Sequence, residues 1–389
     1  MDVVISLPVF ANEVGSYIAY KKNATLVPFM TAGYGFPNIN WGMGDPYNPS
    51  YMPSPLTGFS QTMSFGQRIV NTGAVLAYIL LRRFNAVPKI HAMLGEVFPG
   101  EEIPDLDDLI TNSALFINHG TPFTGDGLRP VMPKTILAGL MSCRPAKPLP
   151  NNLEKFIRES EHGVIFVSFG SVVKASKMPE AKRKMMLAVF SRLKQRVIWK
   201  WETSMEDAPD NVMLSSWLPQ TSLLAHPGVK LFITHGGAGS IQETICHKTP
   251  IVGIPIQGDQ GVNVKEVVNK KVGLQVTWHE MTEDSLLAAI TEVLDDPEYQ
   301  SSVSRLSDLI MDQPQHPLER AVWWLEYLLR HPHNPGMRPV THDLSWPQYF
   351  LLDVIATVIA ILGLVIFIFI GLIRYCCCKK AKIGKQKSE

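Results

Sequence analysis

The stretch 230–244, "KLFITHGGAGSIQET", joins a strand-like apolar run to a helix-like segment through two glycines. His235 ends the run, Gly236 and Gly237 make the turn, and the helix carries no acid before Glu243. A helix N-terminus at such a turn presents free backbone N–H groups and the positive end of the helix dipole, which suit a phosphate. Taken alone, the pattern fits equally a tight turn with a core histidine and no ligand.

Strand-like and helix-like segments alternate regularly after residue 160. The strand-like runs include "GVIFVSFGS", "RVIWKWE", "NVMLSSWLP", "PIVGIPI" and "GLQVTW". This alternation predicts an α/β domain whose parallel sheet is covered on both faces. Such sheets bind ligands at the carboxyl ends of their strands. One rim is therefore expected to hold the following residues: Gly170, Ser171, Trp217, His235, Gly236, Gly237, Asp259 and Gln260.

Residues 1–145 show no such regularity. "MDVVISLPVF" at the N-terminus is strand-like, and residues 33–58 are so rich in Pro, Gly and Asn that a long surface loop is expected. "FGQRIVNTGAVLAYILLRRF", residues 65–84, is apolar but too short for a membrane span, so we expect a buried helix. The Pro-rich segment 143–153 predicts a domain boundary.

An uncharged run, Val354–Ile373, is long enough to cross a bilayer as a helix. Trp346 and Tyr349 precede it, and residues 374–389 carry six Lys or Arg residues and one Glu. The positive-inside rule puts this tail in the cytosol and the body on the other side, as in a type I protein. Such a protein needs a signal peptide, and no basic segment precedes "MDVVISLPVF", so the N-terminus is expected to be incomplete.

The five cysteines do not form a disulfide framework. Cys376–Cys378 adjoin the predicted span, where acylation or simple apolar packing would explain them. Cys143 and Cys246 are left unassigned, and no Cys/His metal spacing is present, so no metal is expected. Asn23 lies in the sequon Asn-Ala-Thr and is a glycosylation candidate. A net charge of +1 gives no reason to expect a nucleic-acid partner.

The neighbours of the glycine turn favour a nucleotide. Trp217 could stack on a base and Gln220 could bond its polar edge, although a Trp before Pro also occurs as packing. Asp259 and Gln260 suit sugar hydroxyls, or else a helix N-cap. A dinucleotide site is the weaker alternative, because Gln242 occupies the place of the third glycine in G-x-G-x-x-G.

Together these segments resemble a known family. Residues 217–263, from "WLPQ" through "ITHGGAGSIQE" to "GDQGVN", are similar to the signature of the UDP-glycosyltransferases, which include the UDP-glucuronosyltransferases. "VIFVSFGS", "MDQPQHPLERAVWWLE" and "HDLSWPQYFLLDV" extend the resemblance along the chain. The resemblance implies an α/β fold of the GT-B class, with two Rossmann-like domains, the N-terminal one truncated, and one C-terminal transmembrane helix.

The implied organisation has five parts. Residues 1–145 would be the remainder of the N-terminal acceptor-binding domain, and 146–332 the C-terminal UDP-sugar-binding domain. Residues 333–349 would form a pre-membrane segment, 350–373 the transmembrane helix, and 374–389 a basic cytosolic tail.

The resemblance also implies residue roles. Trp217 would stack on uracil, Gln220 would bond the uridine, and Glu243 would hold the ribose hydroxyls. The diphosphate would be bound by Ser171, His235, Gly236, Gly237 and Ser240. Asp259 and Gln260 would bind the sugar. The family often has Asn at the position of Gly239, which removes one side-chain donor here. No cofactor is expected beyond the UDP-sugar, which is a co-substrate.

The catalytic base is the missing part. In the family it is a histidine oriented by an aspartate; the histidine would lie upstream of Met1, and the aspartate position reads Leu7. Asp2 would replace it only with a shifted register, and His91 and His119 lack the family's context. Three hypotheses follow: an incomplete membrane-bound transferase, a short isoform that binds UDP-sugar without transfer, and a transferase with another base.

The expected partners are UDP-glucuronate or UDP-glucose, a small lipophilic acceptor with a hydroxyl group, and the membrane. An oligomer with itself or with full-length relatives is compatible with the second hypothesis. Lys385 and Lys387 resemble a dilysine retrieval signal, although a basic tail flanks many spans. With the family resemblance, the predicted location is the endoplasmic-reticulum membrane, with a luminal body and a role in detoxification.

Overall fold

The protein is described from a computed structural model. It describes residues 3–7, 13–31, 36–54, 56–121, 130–331, 337 and 339–386, with side chains to Arg374 except that of Trp346. Asp2 and Lys387, which the sequence singled out, lie outside the described residues. The chain forms two compact units, Met1–Met337 and Arg338–Glu389. The predicted domain boundaries stay predictions.

The first unit contains a small parallel sheet in its N-terminal part. Its strands are β1 (Val3–Ser6), β2 (Thr25–Met30), β3 (Phe116–Asn118) and β4 (Thr135–Leu137), in spatial order β1-β2-β3-β4. All three pairings are parallel. The strand predicted in "MDVVISLPVF" is therefore confirmed.

A larger parallel sheet of six strands follows in the same unit. Its spatial order is β10-β9-β8-β5-β6-β7, and every described pairing is parallel. From β5 the strands β6 and β7 are added on one side of the sheet and β8, β9 and β10 on the other, so the strand order reverses between β5 and β8. Open parallel sheets bind ligands at such a point. The strands are β5 (Val164–Ser168), β6 (Arg196–Lys200), β7 (Val212–Ser215), β8 (Val229–Thr234), β9 (Ile251–Gly253) and β10 (Gly273–Gln275).

Fifteen α-helices occur in the described part of the chain. They are α1 (Val14–Lys21), α2 (Pro37–Met43), α3 (Phe65–Leu81), α4 (Val87–Val97), α5 (Leu106–Thr111), α6 (Asn151–Arg158), α7 (Glu180–Ser191), α8 (Gln220–Leu224), α9 (Ala238–Cys246), α10 (Gln260–Asn269), α11 (Glu283–Asp295), α12 (Pro297–Met311), α13 (Pro317–Arg330), α14 (Trp346–Tyr349) and α15 (Leu352–Gln386).

The central strands of the large sheet are buried on both faces. Every residue of β5 is buried, and five of the six residues of β8 are buried. Phe166 of β5 and Phe232 of β8 stack with their ring centroids 4.8 Å apart. Continuous apolar strands need helices on both faces to exclude water, and two separate apolar clusters flank this sheet. The predicted α/β layer structure is confirmed.

Two expectations about the N-terminal part are wrong. The Pro- and Gly-rich segment contains α2, whose Ile39 and Met43 are buried, so it is not simply a surface loop. The segment predicted as a buried helix, α3, buries only Asn71 and Val75 of its own residues. Composition predicted a helix there correctly, but apolar composition does not reveal which face meets the protein.

The N-terminal and C-terminal parts of the first unit are joined by three kinds of contact. Helix α13 returns to the small sheet, where Ala321 and Leu328 pack in its apolar cluster. Cys143 and Cys246, left unassigned by the sequence, form a disulfide with their Cα atoms 5.6 Å apart. Gln242 of α9 accepts a hydrogen bond from the Leu140 backbone N–H at 2.8 Å.

The second unit is dominated by α15. Its segment Leu352–Arg374 has a mean hydropathy of 3.0 and is long and apolar enough to cross a membrane. The helix continues beyond the predicted span to Gln386, through the basic residues expected to form a tail. Cys376–Cys378 lie within this helical continuation.

Candidate functional site

A cleft of about 700 Å³ opens at the carboxyl ends of β5, β6 and β8. Its volume lies within the range of small-molecule sites. Gly170 of the predicted rim lines the cleft, and so do seven of the ten residues to which the resemblance gives a binding role. They are Ser171, Trp217, Gln220, His235, Gly237, Ser240 and Glu243.

The imidazole of His235 lies between the backbones of two glycines. A Cβ atom added at Gly170 would lie 2.7 Å from His235 Cε1, and one added at Gly237 would lie 2.7 Å from His235 Nε2. Both distances are far inside van der Waals contact, so neither position accepts a side chain without movement of the ring. Gly170 also has φ 83°, which disfavours other residues. Gly237 of the opening motif and Gly170 of the segment after β5 thus make room for this histidine.

Burial controls the charge of His235. Loss of solvent lowers the pKa of its imidazole to about 4, an effect that Lys200 strengthens and Asp259 opposes. The ring is therefore neutral at pH 7 and can donate one hydrogen bond. Its Nδ1 lies 3.5 Å from Thr234 Oγ1.

The N-terminus of α9 forms one wall of the cleft. Gly237 is its N-cap and supplies no side-chain hydrogen bond, and the first turn contains no acid. The backbone N–H groups of that turn therefore face the cleft without a capping side chain, together with the positive end of the helix dipole. Gly239 has open space where a side chain would begin.

A second wall combines an exposed indole with a tight polar cluster. Trp217 is 75% exposed, so its ring is open to a flat partner. Glu243 accepts hydrogen bonds from Gln220 Nε2 and from Thr221 Oγ1, both at 2.5 Å. Gln220 Nε2 also donates to Ser240 Oγ at 3.1 Å. These contacts hold the carboxylate of Glu243 in one place beside α9.

Sequence reasoning misses three basic residues that line the cleft: Lys200, Arg144 and Lys147. Lys200 Nζ donates to the Gly170 carbonyl at 2.7 Å and lies 5.6 Å from the centre of the Trp217 ring. Its place at the carboxyl end of β6 is the signal that could have identified it. None of the three is paired with a carboxylate among the described residues. The cleft is thus suited to an anion.

Gly236, Asp259 and Gln260 are not in the cleft lining. Gly236 has φ 84°, and a Cβ there would meet Val264 Cγ2 at 2.3 Å, so this glycine is required by the turn and by packing. Asn263 Nδ2 donates to the Gly236 carbonyl at 3.0 Å and to Asp259 Oδ2 at 2.8 Å. Gln260 Oε1 accepts from two backbone N–H groups of its own loop. Their ligand-binding roles stay predictions.

Helix α9 is fixed from behind by residues with no predicted role. Gln242 Nε2 donates to the His119 carbonyl, and its Oε1 accepts from the Leu140 N–H at 2.8 Å. One turn later, Cys246 is bonded to Cys143. Helix α9, which forms this wall of the cleft, is therefore anchored to the part of the first unit that contains the small sheet. Nothing in the local sequence pattern indicates this arrangement.

The residues discussed for acid–base chemistry lie elsewhere. Leu7 packs against an apolar cluster that includes Met30 and Phe116. His119 is buried and its Nε2 has no described partner, while burial lowers its pKa to about 4. Neither His91 nor His119 lines the described cleft. No group of three His, Cys, Asp or Glu side chains that could hold a metal occurs among the described residues.

Comparison with known sequences gives a consistent picture. Residues 1–387 match the family model described as "UDP-glucoronosyl and UDP-glucosyl transferase". The chain is 35% identical to UDP-glucosyltransferase 2 of Dactylopius coccus over 355 residues, which are 91% of this chain and 68% of that protein. It is 33% identical to UDP-glucuronosyltransferase 2B14 of Oryctolagus cuniculus over 370 residues, 93% of this chain and 68% of that protein.

Solved structures show the same fold at low sequence identity. Os79 from O. sativa in complex with UDP has a TM-score of 0.56 at 15% identity, covering 84% of this chain and 78% of its own. The glycotransferase of kitacinnamycin has a TM-score of 0.55 at 19% identity, covering 84% of this chain and 76% of its own. The predicted GT-B fold is confirmed.

The low pKa of His235 predicts a loss of stability in acid. The unfolded chain binds a proton at this ring near pH 6.5, whereas the folded chain does so only near pH 4. The free energy of unfolding should therefore fall as the pH drops from 6.5 to 4, by up to about 3 kcal/mol from this ring. His235→Asn should flatten the pH dependence measured by denaturant unfolding across that window.

The matched control is His279→Asn, at an exposed histidine on the surface. That variant should keep the wild-type slope. Equal slopes for wild type and His235→Asn would contradict the burial account of this ring.

Proposed function

Because the chain belongs to the UDP-glucuronosyl and UDP-glucosyl transferase family, we propose that its cleft binds a UDP-sugar from which a glucuronosyl or glucosyl group is transferred. The observation that carries the proposal is the uncapped, acid-free N-terminus of α9 beside His235 and the exposed Trp217. A nucleoside diphosphate needs an anion site and a flat surface for its base, and residues suited to each of these line the cleft. No cofactor beyond the UDP-sugar is proposed.

The diphosphate would lie against α9. Backbone N–H groups of the first turn, the Ser240 hydroxyl and the neutral His235 would donate to its oxygens, and Ser171 would add a hydroxyl from the loop after β5. Preorganised donors aimed at the departing diphosphate stabilise the charge that develops as the sugar–phosphate bond breaks. Lys200 lies next to Gly170 and supplies a positive charge beside the same oxygens.

The nucleoside would lie along the second wall. Uracil would stack on Trp217, and the ribose hydroxyls would donate to the Glu243 carboxylate. Gln220 and Thr221 already hold that carboxylate in place, so little side-chain freedom is lost on binding. Asp259, which Asn263 links to the glycine turn, and the adjacent Gln260 are proposed to contact the sugar from the loop beside the cleft.

The reaction proposed is an inverting displacement on a small lipophilic acceptor. The acceptor hydroxyl attacks the anomeric carbon, the bond from that carbon to the diphosphate oxygen breaks, and the hydroxyl proton passes to a general base. UDP leaves with the bonding electron pair. Relatives named as glucosyl and glucuronosyl transferases support the hexosyl group.

One observation favours a second candidate function. The position expected to carry the family's aspartate is Leu7, which packs in an apolar cluster and carries no proton-accepting group. A chain that binds UDP-sugar without transferring it, alone or paired with a full-length relative, is compatible with that packing. Donor binding is common to both candidates, and turnover separates them.

The apolar helix of the second unit is the basis for the proposed cellular location. The candidate span Leu352–Arg374 would anchor the chain in the endoplasmic-reticulum membrane as a type I protein, with the body in the lumen. Asn23 lies at an exposed turn with φ 49°, where a glycan could be attached. The Cys143–Cys246 disulfide is compatible with an oxidising compartment.

Calorimetry with UDP tests the base site. Trp217→Ala should weaken UDP binding by about tenfold to a hundredfold, because stacking of a base on an aromatic ring contributes about 1–3 kcal/mol. Trp323→Ala, at a half-exposed tryptophan on α13, is the matched control and should bind UDP as the wild type does. Failure of the wild type to bind UDP would refute the proposed function.

A gain-of-affinity variant tests the phosphate wall. Gly239 is the second residue of α9 and has open space at its Cβ position, so Gly239→Asn should fit and add an amide donor toward the diphosphate. UDP should bind about three- to tenfold more tightly, as expected for one added hydrogen bond with a net contribution of about 0.5–1.5 kcal/mol. Gly66→Asn, at the second residue of α3, should leave affinity unchanged. Weaker binding by a folded Gly239→Asn protein would argue against this diphosphate position.

Turnover assays separate the two candidate functions. The full chain in lipid nanodiscs should convert UDP-glucuronate or UDP-glucose and a phenol into a β-glycoside, with the anomeric configuration read by NMR. An α-glycoside would contradict inversion. UDP binding without any turnover would establish the binding-only candidate.

A further inference from the structure

A second, smaller pocket lies beside the cleft. Its volume of about 420 Å³ is within the range of small-molecule sites. The residues that line this side pocket belong to two segments, 147–153 leading into α6 and 215–222 running from the end of β7 into α8. Four residues line both the cleft and the side pocket, whereas His235, Lys200 and Glu243 line the cleft alone. The side pocket therefore adjoins the cleft but has walls of its own.

Trp217 is shared by the two pockets, and 75% of it is exposed. Lys200 Nζ lies 5.6 Å from the centre of the indole ring and belongs to the cleft lining. The ring face toward Lys200 is thus the face that the cleft uses, and the opposite face is left for the side pocket. Ser215 Oγ donates to the Trp217 carbonyl at 2.8 Å, which holds the backbone of this residue. Either face of an indole can stack on a flat ring.

Prolines form the wall of the side pocket that lies before α6. Leu149 packs against the apolar cluster of the large sheet, and its neighbours Pro148 and Pro150 line the pocket. Neighbouring side chains of an extended chain point to opposite sides, and Pro150 is extended, with φ −54° and ψ 143°. Proline rings lose almost no side-chain entropy when a ligand packs on them. This wall is therefore rigid and apolar before a ligand arrives.

A buried hydroxyl in the lining supplies the polar part of the site. Only 7% of Ser222 is exposed, and its hydroxyl has no described hydrogen-bond partner. Buried polar groups in proteins are nearly always hydrogen-bonded, so this hydroxyl is available to a ligand. Asn152 also lines the side pocket, and its exposed amide has no described partner. An apolar wall with convergent polar groups is the usual make-up of a small-molecule site.

The charge in the side pocket favours an anion. Lys147 is exposed, lines the side pocket and is not paired with a carboxylate among the described residues. No described carboxylate lines the side pocket. Glu154, the acid that follows the lining residue Leu153, has its carboxylate 3.5 Å from His226 Nε2. A negative group in the side pocket would thus meet a cation and two hydrogen-bonding side chains.

We propose that the side pocket binds a flat aromatic ring that carries one acidic group. The ring would lie between the prolines and the face of Trp217 that the cleft does not use. The acidic group would accept hydrogen bonds from Ser222, Asn152 and Lys147. The proposal does not rest on the proposed function, because such a ligand needs no part of the diphosphate wall.

Calorimetry with 2-naphthoate tests the proposal on the full chain in lipid nanodiscs, with empty nanodiscs as the blank. The dissociation constant should be about 1 mM or lower, as expected for a ligand of this size. Two analogues should each bind about threefold or more weakly: 2-naphthamide, which lacks the charge, and decahydro-2-naphthoate, which lacks the flat ring. Absence of 2-naphthoate binding, or equal binding of either analogue, would overturn the proposal.

Tryptophan substitutions locate the bound probe. Asn152→Trp places an indole in the side pocket and should weaken 2-naphthoate binding by about tenfold or more, because it occupies the space of the ring. Asn151→Trp, at the neighbouring exposed asparagine that does not line the side pocket, is the matched control and should bind as the wild type does. Thermal unfolding checks that both variants are folded. Wild-type affinity of a folded Asn152→Trp protein would refute the assignment to this pocket.

A lysine substitution tests the acidic group separately. Lys147→Ala should weaken 2-naphthoate binding by about twofold to fivefold, the effect of one exposed ion pair, and should leave 2-naphthamide binding unchanged. Lys194→Ala, at an exposed lysine that lines neither pocket, should change neither affinity. An equal loss of both ligands in Lys147→Ala would contradict the proposed contact.

Competition with UDP separates the side pocket from the cleft. Saturating UDP should change the affinity for 2-naphthoate by less than about fivefold, because the two ligands would use opposite faces of Trp217. Complete displacement of 2-naphthoate by UDP would place the probe in the cleft and overturn the proposal. A wild-type chain that binds 2-naphthoate but no UDP would refute the proposed function and support the side pocket.

Discussion

The donor site depends on one steric constraint, the packing of the His235 imidazole between the backbones of Gly170 and Gly237. A Cβ atom at either glycine would lie 2.7 Å from an atom of the ring. The ends of β5 and β8 can therefore approach each other only if neither position carries a side chain. These two strand ends lie at the point where the order of the strands reverses, and the cleft opens above them. The same packing removes water from the ring and keeps it neutral, so that it donates a hydrogen bond without adding a charge.

The cleft is held in place from the opposite side of α9. Its exposed N-terminal turn faces the space proposed for the diphosphate, while Gln242 and Cys246 tie the back of the helix to the segments that follow β3 and β4. A donor wall that is fixed before ligand arrives loses little entropy on binding. The proposed donor chemistry therefore rests on contacts made by both sheets of the first unit, not on the glycine motif alone.

Much of this could be predicted from local sequence, because the strands of a parallel sheet are continuous apolar runs and their carboxyl ends lie on one edge. That rule led from "VIFVSFGS" and "KLFITHGG" to Ser171 and His235 in one cleft. It could not identify Lys200, Gln242 or the Cys143–Cys246 pair, since their partners are distant in sequence. It also misjudged α3, because apolar residues on a helix indicate a face without indicating what covers it.

The most direct test of the donor site is a crystal structure of the chain with UDP bound. The account predicts the diphosphate within hydrogen-bond distance of the backbone N–H groups at the start of α9 and of His235, the uracil ring stacked on Trp217, and the ribose hydroxyls on Glu243. A UDP molecule bound elsewhere, or one whose diphosphate points away from α9 toward solvent, would contradict it.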